Sequence, residues 1–298
     1  MSEIKVKTAL LDLTWQEKAK AYFELLKHRL STFVALSGTF GYYLAVQQVD
    51  WLKLILITIA GFAITGAANI INQIYEKDID CLMKRTQNRP IPSGRISVNE
   101  ATIFCLILTV GSLFLFLFFF NFRSALVAML SMILYGFVYT PLKKIGPVAV
   151  FVGAFPGAFP PMIGWVAATN QFGWEPGVLF AIQFFWQFPH FWALAWMIDE
   201  DYKQAGFRLL PNHGNKTSKT AFIILAYSLF LVPLGWIPYE LGITGITSAI
   251  LATLGGVLIL VQVLYLMRET SDAAARKLFF VAIAYLPILQ IVFLLDKA

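Results

Sequence analysis

Nine apolar runs, each long enough to cross about 30 Å of hydrocarbon, fill most of this chain and leave few folds open to it. They lie at about Leu30–Val49, Lys53–Tyr75, Thr102–Phe120, Ala125–Thr140, Pro147–Ala168, Val178–Met197, Ala221–Tyr239, Gly245–Met267 and Leu278–Leu295. Inside a bilayer every backbone N–H and C=O must find its partner within the protein, and runs of this length do so as helices. The chain therefore reads as an all-α integral membrane protein, a bundle of about nine transmembrane helices. Only 13% of its 298 residues are charged, about half the share usual in soluble domains.

The loop charges fix an orientation. With the N-terminus inside, the inner segments carry six Lys/Arg before the first helix, five after the second, two after the fourth, four after the sixth and three after the eighth. The outer segments carry only Lys53, Arg123 and Lys297. Such a bias marks cytoplasmic loops, so the N-terminus is expected in the cytoplasm and the C-terminus outside. The net charge of +6 is then an orientation signal and does not point to nucleic acid. Cys81 and Cys105 form neither a disulfide framework nor a CxxC pair. The N-terminus has no signal-peptide core, and Glu3, Asp12, Glu17 and Glu24 are unlike an acid-poor transit peptide. A bacterial inner membrane is the expected location.

Within this frame one stretch concentrates polar chemistry: Ala67 to Gly94, AANIINQIYEKDIDCLMKRTQNRPIPSG. Asn72, Glu76 and Asp80 follow at i, i+4 and i+8, where each step advances about 6 Å and drifts about 40° around a helix. They line one face as the helix leaves the membrane, partly solvated. Carboxylates at membrane depth are costly, so a row of them is a site hypothesis by default. Any single acid is as well explained by pairing with Lys77, Lys84 or Arg85. Arg85 and Arg89 follow in a loop that Pro90, Pro92 and Gly94 hold out of helix, and guanidiniums suit bidentate phosphate recognition.

Other stretches face the same side. Thr14-Trp-Gln-Glu17 is a capping box opening a helix whose Trp15, Ala19, Tyr22 and Leu26 recur at helical spacing, as in an interfacial helix. Lys27, His28 and Arg29 then serve as snorkelling anchors or as ligand contacts. Lys143 and Lys144 end the fourth run. The fifth carries Gly153, Pro156, Gly157, Pro160, Pro161 and Gly164, which suits either room for a flat ligand or close helix packing. The sixth holds Gln187 and His190 among aromatics and exits through Asp199, Glu200, Asp201 and Lys203. Asp199 and Lys203 at i,i+4 also suit an ordinary helix salt bridge. Runs seven to nine are nearly free of polar residues.

Two acidic helix exits, each followed by a basic loop, thus face one water boundary. Oxygen ligands suit Mg²⁺, which is held by one or two carboxylates together with substrate phosphates. A polyprenyl diphosphate fits, its head at the inner interface and its tail among the helices. Departure of diphosphate would leave an allylic cation that a dry cavity shields.

The motif Asn72-xxx-Glu76-xxx-Asp80 followed by KRTQNRPIPSG resembles the first aspartate-rich motif of the UbiA-type intramembrane prenyltransferases. YTPLKK at Tyr139–Lys144, PGAFPPMIGW at Pro156–Trp165 and PHFWALAW through DYKQAG at Pro189–Gly206 resemble its protohaem IX farnesyltransferase (haem O synthase) branch. The resemblance implies a prenyltransferase domain over 30–298, preceded by a cytoplasmic segment 1–29 with its interfacial helix. It implies farnesyl transfer from farnesyl diphosphate to a vinyl group of haem b with addition of water, at a site toward the cytoplasm. Asn72, Glu76, Asp80 and Asp199 would bind Mg²⁺, and Lys203 would join them in the catalytic set. Arg29, Arg85, Arg89, Lys143 and Lys144 would contact diphosphate or haem propionates, and His190 would contact haem. A haem A synthase or a terminal oxidase assembly would receive the product. Glu76 stands where the family usually has Asp, and Lys203 where the quinone branch ends its second motif in Asp. Two further readings are a relative acting on a quinone precursor and a membrane transporter, whose site would lie near the midplane between inverted repeats.

Overall fold

A computed structural model describes residues 13–298, the His213 side chain apart. Residues 1–12 of the N-terminal segment lie outside the described residues. The helices are α1 (Trp15–Leu25), α2 (His28–Ala45), α3 (Trp51–Asp80), α4 (Val98–Phe119), α5 (Phe122–Ile133), α6 (Val148–Thr169), α7 (Trp174–Met197), α8 (Asp199–Gln204), α9 (Ser218–Ser228), α10 (Ile246–Glu269) and α11 (Asp272–Leu295). The capping box is present: Thr14 Oγ1 accepts from Glu17 N, and Glu17 Oε2 accepts from Thr14 N at 2.9 Å. Among the described residues no strand forms beyond the single bridge Thr244–Lys297.

Eight helical stretches are long and apolar enough to cross a membrane, which makes the chain an integral multi-pass membrane protein. α2 is not among them, because its 18 residues open on His28 and Arg29; the ninth crossing of the sequence reading rests on it. The structure departs from two expected spans. The fourth is α-helical only to Ile133, and Leu134–Tyr139 is π-helical before Thr140–Leu142. Gly136 in this widened turn lies against Ile71, whose Cγ2 is 2.7 Å from where a Cβ would stand. The seventh is broken into α9, Leu231–Leu234 and Ile237–Glu240. Pro233 and Pro238 lack the N–H that a continuous helix needs there.

Two hydrophobic clusters fill the bundle, one spanning α1 to α6 and the other centred on α6, α7, α10 and α11. α2 and α6 form the seam between them. A Cβ on Gly164 would fall on the Gly38 carbonyl oxygen and 2.6 Å from Tyr42 N, and one on Gly41 would lie 2.8 Å from Pro161 Cα. Of the two roles open to the small residues of α6, the geometry supports close packing.

The prolines of α6 have an equally local account. Pro160 and Pro161 cannot bond to the carbonyls of Pro156 and Gly157. Each freed carbonyl takes a side-chain donor: Ser131 Oγ to Pro156 O at 3.1 Å, and Gln183 Nε2 to Gly157 O at 2.7 Å. Gln183 Oε1 in turn accepts from Ser37 Oγ at 2.9 Å, and Gln290 Nε2 donates to the same hydroxyl. One buried amide thus joins α2, α6, α7 and α11. Gln183→Leu strands the Gly157 carbonyl and leaves the Ser37 hydroxyl proton without its acceptor. It is expected to cost about 1–2 kcal/mol, read as a lower unfolding midpoint in detergent with prenyl transfer retained.

The two ends of the bundle differ. At one end Lys297 Nζ donates to Tyr43 O at 3.0 Å, Asp296 Oδ2 accepts from Ser248 N at 2.7 Å, and Asn121 Nδ2 donates to Val166 O at 2.8 Å. These bonds only finish helix termini. The other end gathers cation–carboxylate pairs.

Candidate active site

The last turns of α3 bury Asn72, Glu76 and Asp80, at 1%, 5% and 0% exposure. The expected partial solvation of this row is therefore corrected: other segments cover it. Each member of the row meets a basic residue from a different segment. Lys27 Nζ donates to Asn72 Oδ1 at 2.9 Å, Lys143 Nζ to Glu76 Oε1 at 2.8 Å, and Arg89 Nη1 to both Asp80 oxygens at 2.9 and 2.7 Å.

Local sequence explains how these cations arrive. After α3 the chain turns back, with Thr86 Oγ1 on Asp80 O at 2.9 Å and Ile96 N on Pro90 O at 3.1 Å. Gly94 at φ 76° permits the left-handed step that L-residues avoid. This fold-back sets Arg89 opposite Asp80. Lys143 comes from the end of the π-helical stretch, where Thr140 Oγ1 donates to Tyr135 O at 2.8 Å and accepts from Asn72 Nδ2 at 3.2 Å. Its ammonium lies 4.7 Å from the centre of the Tyr139 ring.

Charge is unbalanced here, three basic groups facing two carboxylates. Burial works against the Lys143 charge, but Glu76, Tyr135 and Tyr202 together outweigh it and hold that ammonium above its ordinary range. Lys27 is the basic residue of the three that meets an amide and no carboxylate. Burial first, then Arg89 and Lys143, hold its ammonium well below the usual lysine range. An anion placed beside this part-buried lysine would favour its charged form.

The second acidic exit carries an ion pair of its own. Asp199 is 3% exposed and pairs with Lys203 at 2.6 Å across one turn of α8. Ile79 and Met83 from the α3 exit, Tyr139 and Leu142 from the Lys143 loop, and Tyr202 and Phe207 from α8 and its loop share one hydrophobic cluster. Of the other basic candidates, Arg29, Arg85 and Lys144 are exposed, and among the described contacts none reaches the acidic row. His190 sits one turn after Gln187 on α7, stacked between Trp186 and Phe279 with ring centres 5.0 Å away on each side. Its Nδ1 is buried without a hydrogen-bond partner.

Sequence reasoning left Lys27 open between lipid anchor and ligand contact, and passed over Thr140.

Among the described residues no three His, Cys, Asp or Glu side chains close on a common point, so there is no all-protein metal cage. Two buried carboxylates and an amide oxygen along one face are instead a donor set for Mg²⁺ completed by water and phosphate oxygens. The residues fit such an ion, provided that the ammonium and guanidinium groups now on those oxygens shift to a diphosphate.

The fold is that of a polytopic membrane protein with a buried ionic centre at one end of an apolar bundle. A sequence model of the UbiA prenyltransferase family matches residues 33–284. A protoheme IX farnesyltransferase of Cytophaga hutchinsonii is 52% identical over 93% of this chain and 98% of its own length. That of Flavobacterium psychrophilum is 45% identical over 92% and 93%, and the mitochondrial one of Arabidopsis thaliana is 34% identical over 99% and 69%. A solved digeranylgeranylglyceryl phosphate synthase structure superposes with a TM-score of 0.80 at 25% identity over 94% of this chain and 98% of that one. An Archaeoglobus fulgidus UbiA homologue bound to DMAPP and Mg²⁺ has the same fold, at TM-score 0.64 and 17% identity over 91% and 98%. The chain belongs to the UbiA prenyltransferase family and is a prenyltransferase.

Proposed function

We propose that this enzyme transfers the farnesyl group of farnesyl diphosphate to a vinyl group of haem b, with water adding, to form haem O. The observation that carries the head-group half is the buried row Asn72–Glu76–Asp80 faced by three basic groups, one of them meeting no carboxylate. When bound, Mg²⁺ would neutralise charge on the departing diphosphate. Asn72, Glu76 and Asp80 would hold it, with Asp199 reaching the same ion or a second one. Lys27, Lys143 and Arg89 would move from the row to the diphosphate oxygens. Lys203, half-exposed beside Asp199, would join them, while Arg29, Arg85 and Lys144 would guide anionic groups at the rim. The apolar bundle would keep water from the allylic cation until the acceptor vinyl takes it.

The haem half is supported by relatives named protoheme IX farnesyltransferase over nearly the whole chain. His190, an imidazole with a buried unpartnered nitrogen between two aromatic faces, supports it too. His190→Ala is expected to weaken haem binding several-fold while leaving the affinity for diphosphate unchanged. A Soret titration checks this, and an unaltered titration would make the residue structural. The positive end of the bundle would face the cytoplasm of a bacterial inner membrane, with nine crossings and segment 1–29 on the cytoplasmic surface.

The deciding measurement is the haem profile of cells overproducing the chain, separated by reverse-phase chromatography with mass detection. A later-eluting haem heavier than haem b by a farnesyl group plus water establishes donor, acceptor and reaction together. An unchanged profile in membranes that still consume a prenyl diphosphate with Mg²⁺ would move the acceptor to a quinone precursor.

A further inference from the structure

The polar face of α3 carries two residues, Asn69 and Gln73, that the ionic centre does not use. Both are 1% exposed, and a bilayer protein does not bury amides without a task. Their partners lie on the backbone between α1 and α2. Gln73 Nε2 donates to Leu25 O at 2.7 Å, and Asn69 Nδ2 to Ser31 Oγ at 3.2 Å, while Ser31 Oγ donates to Leu26 O at 2.6 Å. Among the described residues no backbone N–H across the α1–α2 junction reaches either carbonyl. These are the orphan acceptors of an interrupted helix, and α3 supplies their caps.

The interruption is at Lys27, whose φ of 46° and ψ of 53° lie in the left-handed region. A residue with a Cβ there is strained, by about 1–2 kcal/mol. Such strain persists only where the surroundings over-determine it, typically at functional sites. The far side of the junction is fixed as well. Lys18 pairs with Glu100, Glu24 pairs with Arg95 at 2.6 Å, and Ala21 and Leu25 are fully buried. The one side chain that the break redirects into the protein is that of Lys27, which lands on Asn72, whereas Arg29 two residues on is exposed.

We infer that Gln73 is a positioning residue: it holds the Leu25 carbonyl at the helix break and so fixes the Lys27 ammonium at the diphosphate site. Asn69 and Ser31 do the same through Leu26. The inference rests on the reading of Lys27 as a diphosphate contact, and the test separates the two. Full-length wild type, Gln73→Leu, Lys27→Met and the double variant are placed in nanodiscs. Binding of inorganic diphosphate with Mg²⁺ is then measured by calorimetry.

Gln73→Leu is expected to weaken binding about tenfold, the scale of one lost hydrogen bond to a charged group, and Lys27→Met by at least as much. The double variant is expected to bind no worse than Lys27→Met, because Gln73 acts only through that lysine. Losses that multiply, or a Gln73→Leu protein that binds like wild type, overturn the inference and leave the diphosphate site standing. A wild type that binds no diphosphate overturns both. Where Gln73→Leu does not fold, Ser31→Ala removes the shorter of the two bonds to Leu26 O, leaving that from Asn69 Nδ2 at 3.4 Å, and enters the same cycle with the same expected pattern.

Discussion

Asp80→Asn is expected to abolish prenyl transfer, with turnover down by at least about a thousandfold, the upper range for losing one electrostatic group at a reacting centre. Asparagine keeps the shape and one acceptor oxygen but removes the charge that a divalent cation requires. The variant should also be less stable, by about 1–3 kcal/mol. Asp80 is fully buried against Arg89, and a partly buried guanidinium left without its carboxylate is a recognised source of destabilisation. These two losses have different cures. Adding Arg89→Gln to Asp80→Asn removes the orphaned cation, so the unfolding midpoint should recover while turnover stays absent. Wild-type turnover in Asp80→Asn would remove the metal role from this residue. Recovery of turnover in the double variant would show that the first loss came from misfolding.

The legible parts of this protein are those that a bilayer forces on a sequence. Hydrocarbon leaves helices as the only option for long apolar runs, so the class of fold and most span limits can be read directly. The i, i+4, i+8 row is equally plain, because helical geometry alone aligns Asn72, Glu76 and Asp80. The hidden parts depend on which chain segments meet. Nothing near Lys27 says that a left-handed residue will turn it toward Asn72, forty-five positions away. Arg29, the neighbour with the better phosphate-binding group, is exposed instead. The π-helical turn at Leu134–Tyr139 brings Gly136 against Ile71, a contact between segments more than sixty positions apart. Gln73 lies on the same helix as the acidic row, yet its amide bonds to a carbonyl of another helix. A polar residue in a span has to be satisfied by something, and the sequence reveals the need before it reveals the partner.

The same reasoning makes Gly164→Val the substitution expected to disturb the molecule most. A Cβ at Gly164 would occupy the position of the Gly38 carbonyl oxygen and press on Tyr42 N. Both obstacles are helix backbone, which cannot move aside as a flexible side chain can. Overpacked cores ordinarily cost about 1–3 kcal/mol because side chains find other rotamers; here α2 and α6 must separate. The expected result is little monodisperse protein in detergent, and a lowered unfolding midpoint for what remains. Gly111, which would have nothing within 4 Å of a Cβ, supplies the control. Gly111→Ala should melt as wild type does, since the added methyl meets no protein atom. A Gly164→Ala protein that kept the wild-type midpoint and lost only haem binding would instead return α6 to the flat-ligand reading, its glycines clearing space for porphyrin. Under the packing reading the damage reaches the site by a defined route. α2 starts at the Lys27 break, so any helix shift at Gly38 and Tyr42 is passed along one continuous helix to the ammonium beside Asn72. Surviving Gly164→Val protein should therefore bind diphosphate more weakly, although Gly164 makes no contact with the acidic row.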